Sequence, residues 1–334
     1  MHILITGHTG FKGSWLTVLL TKLGHEVSGL SLEAVKGGAF DLAQLEDTLK
    51  THQICDVRDK AKVGTSIRSI SPDVVVHMAA QPLVIEGYRD PLGTMETNVS
   101  GTLNVLEACR KTESVKAVLV VTTDKVYKDK GHGNYSEDDE LGGFDPYSAS
   151  KAMADLLAQS YGNLEINFNV GIARAGNVIG LGDVSPNRLI PDIASAFLRG
   201  EGLTVRHPNA VRPWQHVLDC LHGYVLTIDK LLGGLDLESG PMVLNFGPEP
   251  HGYKSVAEVI DQTQKVLGEF PVSLGSATVK ETSFLTLNSS NARSLLGWRD
   301  KLDFESAIAW SLESIDAGLT RELMHKQVSR YLEL

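Results

Sequence analysis

The chain has 334 residues, 42% hydrophobic and 22% charged, with a net charge of −10, an ordinary composition for a globular protein of about two domains with an extensive core. The negative charge argues against DNA or another polyanion as partner. The three scattered cysteines, Cys55, Cys109 and Cys220, indicate neither a zinc site nor a disulfide framework. No run approaches the ~18 apolar residues of a membrane span, and the start MHILITG has no signal-peptide pattern. A reduced, cytoplasmic protein with no membrane, metal or nucleic-acid partner is expected.

Residues 3–6 form a short apolar run that stops at Gly7, as a buried parallel strand does. Residues 14–23 carry apolar side chains at helical spacing, and Gly24 is placed to end that helix. Residues 25–30 predict a second strand, completing a strand–turn–helix–strand unit. The pattern returns as strands at 73–78, 116–122 and 168–173, with helices at 91–110 and from Pro146 to Tyr161 between them. Alternating strands and helices predict an α/β fold built on a doubly wound parallel Rossmann sheet. Beyond residue 175 glycine and proline become frequent and the alternation ends. The expectation is a dinucleotide-binding domain at 1–176 plus 211–245. A smaller mixed α/β C-terminal lobe for substrate takes 177–210 plus 246–334. Residues 213–231 predict a helix that returns to the first domain.

The first turn reads TGHTGFKG, with Gly7, Gly10 and Gly13 at GxxGxxG spacing. Glycines between a strand and a helix allow a tight turn and bring a pyrophosphate close to the helix N-terminus. Thr9, Phe11 and Lys12 share this turn and join the glycines as candidate cofactor contacts. An acidic residue about 20 positions on would bind the adenosine ribose of NAD. Glu33 is near that distance, while Ser31 is placed at the strand end, so NAD and NADP both stand open. Asp56, with Val57 beside it, follows another strand-like stretch. It either meets the adenine or caps the helix starting near Arg58.

Residues 147–151 read YSASK. Four residues apart on a helix, Tyr147 and Lys151 share a face. The ammonium is expected to lower the phenol's pKa, so that the phenolate accepts a proton from a substrate hydroxyl. Upstream, Thr123 closes a strand at the carboxyl edge of the sheet, where such folds bind ligands. Asp124 and Lys125 follow it. An acid and a potential base beside a redox centre point to chemistry beyond hydride transfer, although loop charges at a strand end read the same way.

GHTGFKGSWL at 7–16, HMAAQPLV at 77–84, TTDKVY at 122–127 and EDDELGGFDPYSASKA at 137–152 recur in a known pattern. ARAGNVIGLGD at 173–183, RLIPD at 188–192, RPWQHV at 212–217 and LLGWR at 295–299 extend it along nearly the whole chain. In these segments the chain resembles the extended short-chain dehydrogenase/reductases, and within them the nucleotide-sugar 4,6-dehydratases that act on CDP-glucose. The resemblance implies NAD as cofactor and conversion of CDP-glucose to CDP-4-keto-6-deoxyglucose. Tyr147 would take the proton from the carbon-4 hydroxyl and Asp124 would protonate the hydroxyl leaving carbon 6. Lys125 is either the base at carbon 5 or a charge that stabilises the enolate. Asn177, Arg188, Leu189 and Arg212 would face the diphosphate and nucleotide, since guanidinium groups fork onto phosphate. Trp214 and His216 either pack the base or fill the joint between lobes. Ala79 and Ala80 would pass close to the cofactor, and Gln81 would approach sugar or cofactor. A homodimer through helices near 95–110 and 147–161 is implied. The competing readings are another nucleotide-sugar dehydratase or 4-epimerase, and an inactive nicotinamide-binding regulator.

Overall fold

A computed structural model describes residues 1–131, 133–233, 240–275 and 284–334. The stretches 234–239 and 276–283 of the expected domains lie outside the described residues. The central sheet contains β1 (His2–Thr6), β2 (Glu26–Ser31), β3 (Thr51–Ile54), β4 (Val74–His77), β5 (Ala117–Val121) and β6 (Asn169–Ala175). A seventh strand, Met242–Phe246, arrives late in the chain. Their order is Met242–Phe246, β6, β5, β4, β1, β2, β3, parallel throughout. Because the winding reverses between β1 and β4, a crevice opens at the carboxyl ends of those two strands. The inner strands β1, β4 and β5 are largely apolar on both faces because both faces are covered. On one side lie Trp15 and Leu19 of α1 (Phe11–Lys22) with Leu221 and Ile228 of helix Val217–Leu232. On the other lie Val63, Ile67, Val105, Leu106 and Ala158. The expected doubly wound α/β sheet is the fold found.

The expected helix at 91–110 is one helical run that passes through a π turn at Glu96–Ser100. The expected helix at 213–231 begins later, at Val217. Val211–Pro213 pairs instead with Tyr253–Ser255, and Gln215–His216 with Val178–Ile179. Asp56 does not cap the next helix: Asp59 does, accepting the Lys62 N–H, while Asp56 pairs with Arg58 at 2.6 Å.

Short strands Leu203–Val205 and Val272–Leu274 pair beyond the sheet, next to helices Leu189–Arg199 and Val256–Leu267. The last helix, Arg321–Glu333, packs back onto α1. One of its anchors is the fully buried Asp219, whose carboxylate accepts the Tyr331 hydroxyl at 2.8 Å and the Lys301 N–H at 2.7 Å. Its other oxygen has no partner, and burial raises its pKa to about 7. Among the described residues no helix is long and apolar enough to cross a membrane.

Candidate active site

The glycine turn joins β1 to α1 and is packed backbone to backbone. Gly7 has φ +78°, and a Cβ there would stand 2.8 Å from the Ala79 nitrogen at the end of β4. A Cβ on Gly13 would stand 2.2 Å from the Gly7 carbonyl oxygen. Gly10 is the N-cap of α1 and supplies no capping side chain, so the helix N-terminus is left for an anion. Thr9 ties the turn to the end of β2, bonding the Ser31 hydroxyl at 2.7 Å and the Leu32 carbonyl at 3.0 Å. His8 is buried against Gly29, with its Nε2 2.7 Å from His52 Nδ1, and burial lowers its pKa to about 3. Lys12 is half-buried, and its amine donates to the Tyr224 hydroxyl at 3.0 Å.

The YSASK helix starts where the sequence writes its signals. Asp145 is the N-cap, accepting the Ser148 N–H at 3.0 Å, and Pro146 occupies the first turn. Tyr147 is thereby set in the first turn of helix Pro146–Gly162, opposite the end of β5. The Thr123 side chain is near enough to its phenol to oppose the rise in the phenol's pKa. Thr123 Oγ1 donates to Asp124 Oδ1 at 2.9 Å, and the Lys125 amine reaches the same oxygen at 3.0 Å. Asp124 Oδ2 is buried without a partner, and a Cβ on Gly176 would come within 3.3 Å of it. Lys151, one turn below Tyr147, donates to the Val121 carbonyl at 2.8 Å. Burial and the nearby charge of Lys12 lower its pKa to about 8.

One expectation is corrected here. The Tyr147 phenol is raised, not lowered: burial dominates, and the cations that oppose it are Lys125 and Arg188 rather than Lys151. Lys151 points its charge at a backbone carbonyl instead.

Thr123, Lys125, Tyr147 and Lys151 line one cleft of about 500 Å³, together with Phe11, Lys12 and Ala80. Asn177, Arg188, Leu189, Arg212 and Trp214 line the same cleft. Arg188 is held by Asp183 at 3.3 Å, and the Arg212 guanidinium donates to the Val211 carbonyl at 2.9 Å. Trp214 donates its indole N–H to the Lys254 carbonyl at 2.9 Å, so it serves both the wall and the joint.

Residues 3–238 match the NAD dependent epimerase/dehydratase family. The chain belongs to that family. It is 39% identical over 312 residues to CDP-glucose 4,6-dehydratase of Salmonella typhimurium, an alignment covering 90% of this chain and 86% of the relative. Among solved structures it is similar to MoeE5 in complex with UDP-glucuronic acid and NAD, with TM-score 0.80, 25% identity and coverage of 98% of this chain and 100% of that one. It is similar also to the NAD dependent NDP-hexosamine 5,6-dehydratase TunA, with TM-score 0.82, 25% identity and coverage of 95% and 98%.

The turn suits the dinucleotide of this epimerase/dehydratase family, because only hydrogen at Gly7 and Gly13 permits its close backbone path. Other sequence candidates fall elsewhere. His216 is fully buried between Trp15 and Trp310, with ring centroids 6.3 and 5.8 Å away. It caps helix Val217–Leu232 and is not in the cleft wall, so it fills the joint rather than meeting a base. Gln81 spends its amide on Thr94 and on the Leu83 N–H, at 2.9 and 2.6 Å. Val57 is buried against Gly101, while Glu33 is exposed just past Ser31. The sequence reading missed Arg206, His207 and Tyr127 in the cleft wall. Only a basic pair in the second lobe and the VY after TDK signalled them.

Proposed function

We propose that the protein is a nucleotide-sugar 4,6-dehydratase, a hydro-lyase that takes CDP-glucose to CDP-4-keto-6-deoxyglucose and water. One observation carries this reading: the hydrogen-bonded Thr123–Asp124–Lys125 unit stands at the same cleft as Tyr147 and Lys151, the cleft that begins at the glycine turn. NAD, which the glycine turn would hold, would supply a two-electron acceptor for carbon 4 and, once reduced, the hydride donor for carbon 6. Tyr147 takes the proton of the carbon-4 hydroxyl. The ketone so formed acidifies carbon 5, whose proton goes to Lys125, and Asp124 protonates the hydroxyl leaving carbon 6. The proton held by Tyr147 then has a route to Asp124 through the Thr123 hydroxyl, and Lys125 returns its own to carbon 5. With a 3.0 Å contact, Asp124 and Lys125 act as one acid–base unit. A 4-epimerase needs Tyr147 and Thr123 but has no use for that unit.

Lys151 holds the nicotinamide ribose, and Arg188, Arg212 and Asn177 receive the diphosphate and nucleotide. Ser31 at the strand end, with Glu33 beyond it, supports NAD over NADP because an added phosphate would meet the carboxylate. Residues 1–176 with 211–245 form the cofactor domain, and 177–210 with 246–334 the substrate lobe. Exposed Leu103, Met153 and Leu156 on two neighbouring helices support a homodimer through that face, working in the cytoplasm. The test is anaerobic incubation with CDP-glucose and NAD in deuterated water, read by NMR and mass spectrometry. Loss of one water, a carbon-4 ketone or its hydrate and deuterium at carbon 5 are expected. Turnover of a different nucleotide glucose alone would overturn the base assignment, and carbon-4 inversion without water loss would overturn the dehydratase.

A further inference from the structure

Asp155 lies one turn below Lys151 on helix Pro146–Gly162, and it is fully buried. Its carboxylate takes Nε and Nη2 of Arg174, each at 2.8 Å, and the Thr122 hydroxyl at 2.9 Å. Arg174, on β6, is 1% exposed. Its remaining nitrogen, Nη1, donates to the Tyr127 hydroxyl at 3.0 Å and to the Glu137 carbonyl at 3.1 Å. The Tyr127 hydroxyl in turn donates to Asn245 Oδ1 at 2.6 Å, and its ring stacks on Tyr135 at 5.0 Å. Thr122 and Tyr127 bracket the Thr123–Asp124–Lys125 segment in sequence. Both ends of that segment are therefore tied to one ion pair, and the pair is fixed to the helix carrying Tyr147 and Lys151. Neither Arg174 nor Asp155 lines the cleft.

A buried ion pair is a poor source of stability, because desolvation offsets the attraction. Its bidentate geometry is a good source of register. Oxidation at carbon 4 and elimination across carbons 5 and 6 act on one bound sugar, so the two sets of groups need a fixed spacing. We propose that the Arg174–Asp155 pair, extended through Tyr127, is a positioning device that holds the acid–base segment in register with the Tyr147/Lys151 helix. The inference rests on the dehydratase reading.

The test compares the full chain with Tyr127→Phe, Asp155→Asn, Arg174→Lys and Arg174→Met, using CDP-glucose and NAD. Steady-state kcat and KM, single-turnover absorbance of reduced nicotinamide at 340 nm and thermal melting are recorded. Tyr127→Phe releases only the far end of the segment. It is expected to stay folded at the assay temperature with a melting point lowered by only a few degrees, lose about tenfold in kcat with KM little changed, and accumulate 340 nm absorbance because elimination lags oxidation. Asp155→Asn and Arg174→Met loosen both sets and are expected to lose about a hundredfold, with Arg174→Lys recovering part of that. Parent-like kcat and absorbance in Tyr127→Phe would overturn the inference, as would losses that only follow a lowered folded fraction. If the parent converts no nucleotide hexose, the dehydratase reading falls and takes the inference with it. A working parent beside an unaffected Tyr127→Phe removes the inference alone.

Discussion

Replacing Asp219 by Asn should stabilise the protein by an amount that grows from about pH 4 and is complete above about pH 7. Burial lifts this carboxyl from 3.8 to about 7. Between those values the unfolded chain ionises Asp219 while the folded chain keeps the proton, so stability falls as pH rises through the window. Above about pH 7 the whole cost is in place. Some three pKa units at 1.36 kcal/mol each set a ceiling of about 4 kcal/mol. Asp219→Asn keeps an oxygen to accept the Tyr331 hydroxyl and the Lys301 N–H, which bond the same carboxylate oxygen, and carries no charge. Urea unfolding followed by tryptophan fluorescence at pH 5, 6.5 and 8.5 reads the difference. The variant should be more stable than the parent at pH 8.5 by roughly 2–4 kcal/mol, with the gap shrinking toward pH 5. A gap that does not change with pH, or a variant less stable at pH 8.5, would refute the reasoning that an uncompensated buried charge sits under the last helix.

Three further outcomes follow from the site. Gly13→Ala places a Cβ 2.2 Å from the Gly7 carbonyl oxygen, so the turn must open; calorimetric titration should show NAD affinity lowered by at least about tenfold, from ~1.4 kcal/mol of lost fit. Lys125→Met should retain oxidation at carbon 4 but lose about 10²–10⁴-fold in deuterium entry at carbon 5, measured by NMR, whereas an unchanged exchange rate would assign the base elsewhere. Lys151 carries a pKa of about 8, below the value of 10.5 in the open chain, because burial disfavours its charge. The folded protein bears that cost below about pH 8, and it fades as pH rises toward 10.5. A cofactor with a pyrophosphate favours the charged amine, so the dissociation constant for NAD should increase above pH 8, and Lys151→Met should flatten that rise in a fluorescence titration.

Much of the fold was legible because each central strand is a short apolar run stopped by a turn residue, as at β1 and β5. The YSASK spacing likewise announced which side chains share a helix face. What the sequence hid depends on distant partners. Residues 213–216 look like the start of a helix until Tyr253–Ser255 and Val178–Ile179 are available to pair with their surroundings. His216 sits in the same motif as Arg212 and Trp214, yet two tryptophans from far along the chain enclose it. The pKa direction at Tyr147 was misread because spacing reports proximity to Lys151 but not burial, and burial is the larger effect. The Arg174–Asp155 pair had no local signal at all.

The path of the chain through the sheet has a practical consequence. Strand Met242–Phe246 completes the sheet beside β6, and helix Val217–Leu232 covers β5 and β6, yet both are reached only after the chain has passed through Leu189–Arg199 and Leu203–Val205. A fragment ending near residue 180 would expose β6 as a bare apolar edge, the geometry that invites aggregation. No cut before Met242 leaves the sheet complete. During synthesis, the sheet is closed only after the first part of the second lobe has already been made.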